Sequence, residues 1–109
     1  MNHLNKAKFI NLISGVLKTP GLFQVNRIED LDLIITGYKC AVNEVELEDF
    51  IADFRAYVNK RFESSEDVHW VRWIRFRAAS DMHSLELGKS VFSEFIQDNC
   101  PNLLEIKHK

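Results

Sequence analysis

The residue types that carry out most protein chemistry are present in this chain but are not grouped for catalysis. The four histidines show no close pairing, and neither Cys-x-x-Cys nor His-Glu-x-x-His occurs, so we expect no metal site. Ser80, His83 and Ser84 are close in sequence, yet no glycine-rich elbow accompanies them, as a serine nucleophile would require. We therefore predict no enzyme, no catalytic residue and no cofactor, and we keep a small enzyme around His83 as an alternative.

Carboxylates form the clearest polar pattern in the sequence. Within residues 43–62, Glu46, Asp49 and Asp53 recur at spacings of three and four, with Tyr57 at their border. In a helix these positions lie on one side, which we call the acidic face. Acids early in a helix also stabilise its dipole, which explains part of the pattern. Because the acids exceed what capping requires, we predict that this face meets a cationic partner.

A second acidic group, consisting of Glu29, Asp30 and Asp32, lies in the first turn of the preceding predicted helix. The helix dipole alone accounts for acids at this position, and a role beside the acidic face in binding is the alternative. Asn26 stands three residues before Glu29, which is the spacing of a capping box. The same spacing predicts that Asn43 caps the next helix through Glu46.

The segment 68–77 combines basic and aromatic residues, since Arg72, Arg75 and Arg77 alternate with two tryptophans and a phenylalanine. Such segments bind phosphates and stack bases, so a nucleic-acid-binding regulator is the alternative function. The net charge of -2 is not typical of that class, and we expect the arginines to pair with the chain's own acids. Aromatic and β-branched residues suit a strand here, but helical spacing and the lack of a partner strand favour a helix.

Hydrophobic periodicity predicts five helices, at about 4–18, 26–42, 43–62, 68–77 and 82–98. Thr19-Pro20-Gly21 ends the first helix, because proline cannot continue the hydrogen-bond ladder. We expect Leu22 or Phe23 to fill the core beneath the following loop. Gly88 lies on the apolar face of the last helix, where a bare backbone would let a neighbouring element approach closely.

Length and composition favour one soluble domain. A chain of 109 residues with 46% hydrophobic residues can bury a core without disulfides or metals. The fold predicted is an all-α, single-domain bundle of about five helices with short connectors, followed by a tail from about residue 101. Cys40 and Cys100 are expected to be reduced thiols. Neither a signal peptide nor a membrane span is recognisable, so we predict a cytoplasmic protein without a membrane partner.

Several short motifs occur in an order that resembles a known family. Leu17-Lys18-Thr19-Pro20-Gly21-Leu22-Phe23 ends the first helix, and the acidic second helix carries Gly37-Tyr38. Further along the chain come Leu47-Glu48-Asp49-Phe50, then Trp70 with Trp73-Ile74, and finally Phe92 and Phe95. The order is similar to that of small helical immunity proteins of bacterial contact-dependent growth inhibition and related polymorphic toxin systems. Many of those proteins carry an Arg-Pro-Gly-Met-Tyr-like turn before a helix with Gly-Tyr, whereas here Thr19 replaces the arginine and Leu22-Phe23 replace Met-Tyr.

The resemblance implies a cytosolic, non-enzymatic protein that binds its cognate toxin C-terminal domain. Many such toxins are nucleases with basic clefts, and an acidic helical surface could occupy such a cleft. Complementary charge speeds encounter and aromatic anchors hold a complex. The partner-binding residues predicted on this basis are Glu46, Asp49, Asp53 and Tyr57, helped by Glu29 and Asp32.

Overall fold

Five α-helices make up most of residues 3–63, 66 and 68–99, which are the residues that the computed structural model describes. They are α1 (His3–Lys18), α2 (Ile28–Val42), α3 (Val45–Arg61), α4 (Trp70–Arg77) and α5 (Asp81–Asn99), and a short 3-10 helix spans Pro20–Phe23. The predicted all-α bundle is confirmed, and so is the helical assignment of the ambiguous aromatic segment. None of the described helices has an apolar stretch that would reach across a lipid bilayer. The predicted tail lies outside the described residues.

An aromatic cluster joins α3, α4 and α5 at the centre of the core. The ring of Phe54 in α3 lies 5.2 Å from Trp70 in α4, and 5.6 Å and 5.2 Å from Phe92 and Phe95 in α5. All four side chains are buried. Aromatic pairs at such separations add about 0.5–1.5 kcal/mol each beyond their buried area. The cluster therefore fixes which side of α3 is turned inward, and it leaves the acidic side outside.

The turn after α1 differs from the prediction. Leu22 is 82% exposed and Phe23 is 44% exposed, whereas Val25 is 3% exposed and packs into the core. Gln24 adopts the left-handed conformation with φ of 57°, and this reverses the chain so that Val25 turns inward. The prediction that Leu22 or Phe23 fills the core was wrong, because apolar character alone did not reveal which side chain the turn directs inward.

The two predicted asparagine caps were also wrong. Helix α2 begins at Ile28, and the backbone N–H of Asn26 donates a hydrogen bond to the Asp30 carboxylate at 2.9 Å. Asn43 ends α2 instead of starting α3, since it takes the left-handed conformation and its N–H donates to the carbonyl oxygen of Lys39. A left-handed residue at this position is a common way to end a helix.

The expectation of a close approach at Gly88 is confirmed at the contact between α2 and α5. A Cβ atom on Gly88 would lie only 2.5 Å from Cδ1 of Ile28, which is fully buried. One turn earlier in α5, the Ser84 hydroxyl accepts a hydrogen bond from the Ile28 N–H at 3.1 Å and donates one to the carbonyl oxygen of Asp81. These contacts seat the first turn of α2 on the first half of α5.

The connector between α3 and α4 is held by Asn59, which is 8% exposed. Its Nδ2 donates to the Val68 carbonyl oxygen at 2.9 Å, while its Oδ1 accepts from the Val68 N–H and from the Trp73 indole N–H, both at 3.0 Å. A buried amide is stable in a core only when its polar atoms are satisfied. Asn59 therefore sets the position of α4 against α3, a role that its sequence position did not suggest.

Candidate partner-binding face

The acidic face of α3 lies on the surface, as the sequence predicts for an amphipathic helix. Glu46, Asp49 and Asp53 are all exposed, and the adjoining side of the helix is buried through Phe50 and Phe54. No side chain among the described residues forms an ion pair or a hydrogen bond with Asp49 or Asp53. Two carboxylates one helical turn apart repel each other weakly, and an incoming cationic group would relieve that repulsion.

Tyr57 stands at the border of the acidic face and is held in place on two sides. Its ring lies 5.3 Å from the ring of Phe95, and its hydroxyl donates a hydrogen bond to the Asp98 carboxylate at 3.0 Å. Partial burial, and then the hydrogen bond to an anion, raise the pKa of the Tyr57 phenol above its ordinary value. The face therefore ends at an ordered aromatic ring beside a further carboxylate.

A second contact between α3 and α5 follows one turn later. The guanidinium of Arg61 donates to the Glu94 carboxylate at 2.9 Å and 3.5 Å, and this hydrogen bond raises the pKa of Arg61. Both side chains are more than 40% exposed, so the pair contributes only about 0–1 kcal/mol. Because Tyr57 meets Asp98 and Arg61 meets Glu94, α3 and α5 run antiparallel. Sequence analysis missed Asp98 and Glu94, since the helical pattern does not show which helices pair.

Glu29 is neutralised within the chain. Its carboxylate accepts two hydrogen bonds from Arg75, at 2.9 Å to Nε and 2.6 Å to Nη2, and the same guanidinium contacts Asp81 at 3.1 Å. The hydrogen bond from Arg75 holds the pKa of Glu29 below its ordinary value, and the same contact raises the pKa of Arg75. A carboxylate engaged in this bidentate way has little remaining capacity to attract a partner.

The six predicted residues do not form a single surface. Glu29 is joined through Arg75 to Asp81 at the start of α5, whereas Tyr57 binds Asp98 at the other end. At a rise of about 1.5 Å per residue, these two ends of α5 are about 25 Å apart.

The position of Asp32 is different again, because it lines a groove between α2 and α3. Its carboxylate lies 3.6 Å from Nε2 of His69, and Glu48 and Arg55 of α3 line the same groove. On α3 these two residues lie about 100° or more around the helix axis from Asp49 and Asp53, because each residue turns the helix by about 100°. The structure thus groups Glu46, Asp49, Asp53 and Tyr57, and separates them from Glu29 and Asp32.

The basic and aromatic segment forms α4, and only part of it lies on the surface, since Trp70 is 3% exposed. Phe76 is 75% exposed and Arg72 is exposed. The Arg77 guanidinium lies 4.8 Å from the centre of the Phe62 ring, and Arg75 is bound by Glu29 and Asp81. Among the described residues, only two of the three arginines therefore lack a carboxylate partner.

The residues around His83 take part in starting α5. The Nδ1 atom of His83 accepts a hydrogen bond from the Ala79 N–H at 2.8 Å, and the His83 N–H donates to the Ser80 hydroxyl at 3.1 Å. Ser84 is fully buried against α2. Both serines thus have structural roles, and neither side chain is hydrogen-bonded to the imidazole. The described part of the chain also holds no group of three or more metal-ligating side chains placed to bind an ion.

Comparisons of the chain with known protein families, with curated proteins and with solved structures found no match. A function for this chain must therefore be inferred from its own residues. Among the described residues, the acidic face brings together the unpaired carboxylates of Asp49 and Asp53 and an aromatic ring held in a fixed position, that of Tyr57.

Proposed function

We propose that this chain is an immunity protein that binds and neutralises a cognate toxin domain in the cytoplasm through the acidic face of α3. The observation that carries the proposal is the state of Asp49 and Asp53, which are exposed and have no ion-pair partner among the described residues. The resemblance of the sequence to helical immunity proteins supports the same function.

The physical basis of binding is complementary charge around an ordered aromatic ring. A basic toxin cleft, such as that of a nuclease, would meet Asp49 and Asp53 first, and attraction between opposite charges accelerates encounter by about 10-fold to 1000-fold. Tyr57 would then supply the apolar contact. Because its ring is already packed on Phe95 and its hydroxyl is bound to Asp98, little side-chain entropy remains to be lost on binding.

The rigidity of α3 also suits a tight inhibitor. Phe50 and Phe54 hold the inner side of the helix in the core, at 4% and 5% exposure. A partner can therefore dock on the outer side without any rearrangement of the fold, as in most preorganised inhibitor complexes.

Nucleic-acid binding by α4 has weaker support, because few arginines are available to contact phosphates. Arg72 and Arg77 could neutralise about two phosphates, which corresponds to a salt slope of about -1.8, whereas strong binders make about 6–10 phosphate contacts. Arg75 is held by two carboxylates, those of Glu29 and Asp81, and the net negative charge of this group would repel a phosphate backbone. A mobility shift of labelled RNA or DNA that weakens steeply with salt would favour this alternative.

The functional test is protection of living cells. We expect the gene immediately upstream of the one for this chain to encode a large secreted protein, whose variable C-terminal domain is the candidate toxin. Expression of that domain alone should arrest growth, and co-expression with this chain should restore it. A direct complex between the two purified proteins should be measurable by calorimetry. Growth arrest that this chain does not relieve, with no complex detected, would overturn the proposal.

A further inference from the structure

Two histidines bind backbone N–H groups at the two ends of α4. At its start, Nδ1 of His69 accepts a hydrogen bond from the Val71 N–H at 3.2 Å. After its end, Nδ1 of His83 accepts one from the Ala79 N–H at 2.8 Å. A ring nitrogen of histidine accepts a hydrogen bond only while it carries no proton, so both contacts require a neutral imidazole with its proton on Nε2. We call these two contacts the imidazole caps.

Each of the two N–H groups depends on its histidine. Val71 is the second residue of α4, and the N–H groups in the first turn of a helix have no acceptor within that helix. Ala79 lies in the connector between Arg77, the last residue of α4, and Asp81, the first residue of α5. Among the described residues, no other acceptor is hydrogen-bonded to the N–H of Val71 or Ala79. Loss of an imidazole cap would therefore leave its N–H group to the solvent.

The contact of His83 is reciprocal, because this residue also starts α5. Its own N–H donates to the Ser80 hydroxyl at 3.1 Å while its ring holds the Ala79 N–H. The arrangement resembles a capping box with an imidazole in place of the usual glutamate or glutamine at the third helical position. Unlike those side chains, an imidazole changes its charge between about pH 5 and 8, and it then loses its acceptor.

The charges around His83 do not compensate for a second proton on its ring. The start of α5 is the positive end of a helix dipole, which disfavours a cation. The carboxylate of Asp81 is engaged by Arg75 at 3.1 Å, and Arg77 adds another cation at the end of α4. Glu86 follows one turn later on the exposed side of α5, where it favours the charged ring only weakly.

His69 has a carboxylate beside its other ring nitrogen. Its Nε2 lies 3.6 Å from the carboxylate of Asp32 in α2. The other charged residues that line this groove are Lys39, Glu48 and Arg55. A proton on Nδ1 would end the contact with Val71 and strengthen the attraction to Asp32. Protonated His69 would thus exchange a backbone contact on α4 for an ion pair with α2.

From these contacts we propose that α4 is a pH-sensitive element, whose two imidazole caps are released when His69 and His83 are protonated between about pH 8 and 5. Each protonation places a second N–H donor against a backbone N–H. The first turn of α4 and its connector to α5 therefore loosen in mild acid, while the aromatic cluster holds Trp70 in the core. The proposal concerns α4 and does not depend on the proposed function.

Nuclear magnetic resonance of the full-length chain tests this proposal without any toxin. Near pH 8, the ring nitrogen signals should show that both histidines carry their proton on Nε2. As the pH falls towards about 5, the amide signals of Val71 and Ala79 should each follow the titration of their own histidine. Asn43 is the internal control, because its N–H donates to the carbonyl oxygen of Lys39, and its signal should follow neither titration.

Hydrogen exchange decides whether the hydrogen bonds are lost, since a nearby charge alone can change a chemical shift. After correction for the intrinsic exchange rate, protection of the Val71 and Ala79 amides should fall about twofold to tenfold, as expected for the loss of one hydrogen bond each. Protection of the Asn43 amide should stay constant over the same range.

Two glutamine variants serve as controls for each other, because glutamine keeps a hydrogen-bond acceptor and takes up no proton in this range. His83→Gln should make protection of the Ala79 amide independent of pH and leave the response of Val71 intact. His69→Gln should have the reverse effect. A ring proton on Nδ1 of both histidines near pH 8 would overturn the proposal. Constant protection of both amides in the wild type would also overturn it, as would variants that leave the response of their own amide unchanged.

Discussion

Replacement of Gly88 by alanine tests the contact that seats α2 on α5, the helix that also carries Asp98. The added Cβ would lie 2.5 Å from Cδ1 of Ile28, which is buried and has little room to move. Alanine in a helix interior is favoured over glycine by about 1 kcal/mol, while overpacking a core costs about 1–3 kcal/mol. Gly88→Ala should therefore destabilise the protein by about 1 kcal/mol.

Shortening Ile28 should reverse the sign of this effect. Ile28→Val alone should cost about 0.5–1.5 kcal/mol, but it removes the atom that collides with the new methyl group. The next nearest atom, Cγ1 of Ile28, is 3.7 Å away, which is an ordinary contact distance. In the Ile28→Val background, Gly88→Ala should thus stabilise by about 1 kcal/mol, giving a coupling energy of about 2 kcal/mol.

Urea unfolding of the wild type, the two single variants and the double variant measures this cycle. Gly37→Ala is the control, because a Cβ at Gly37 in α2 would meet nothing within 4 Å, and it should stabilise by about 0.5–1 kcal/mol. If Gly88→Ala stabilised the wild type as much as Gly37→Ala does, Ile28 would not lie over Gly88 and the packing described for α2 on α5 would be refuted.

Two further predictions concern polar contacts between elements. Asn59→Ala should destabilise the protein by about 2–4 kcal/mol, because the Val68 amide and the Trp73 indole lose their hydrogen-bond acceptor. Urea unfolding followed by tryptophan fluorescence measures this loss of stability. A loss below about 0.5 kcal/mol would contradict the prediction. Glu29→Gln should reduce stability near neutral pH but not in acid. Arg75 lowers the pKa of Glu29 in the folded protein. The contribution of the ionised Glu29 to the free energy of unfolding is therefore complete above its ordinary pKa of 4.5, and it disappears as the pH falls through the lower folded-state pKa. Thermal unfolding across this range tests it, and a difference from wild type that did not change with pH would count against the pairing.

Most of the helical architecture was predictable from local pattern. The spacing of apolar residues located five helices, and the spacing of Trp70 and Trp73 identified α4 in spite of its strand-like composition. The helix starts were less predictable, because the capping role expected of Glu29 was lost to an ion pair with Arg75, 46 positions away in the sequence. Leu22 shows a similar limit, since hydrophobicity does not indicate the direction in which a short turn points a side chain.

The candidate site was predictable only within one helix. Glu46, Asp49, Asp53 and Tyr57 could be grouped because helical geometry places them together. Asp98 could not be assigned to the site in the same way, because its position beside Tyr57 depends on the antiparallel packing of α5 against α3. Local sequence pattern does not reveal such tertiary packing. The separation of Glu29 and Asp32 from the acidic face has the same origin, because the packing of α2 against α4 decides where these carboxylates point.

Charge reversal on two sides of α3 tests the central claim most directly. Asp53→Lys changes the acidic face, and Glu48→Lys makes the same change of charge on the exposed side that lines the groove with Asp32. Calorimetry with the candidate toxin domain should show affinity reduced by about 100-fold or more for Asp53→Lys, since opposed like charges cost several kcal/mol. Glu48→Lys should bind within about threefold of wild type, as expected for a charge outside the interface. Equal affinities of the two variants, or a stronger loss for Glu48→Lys, would contradict binding through the acidic face.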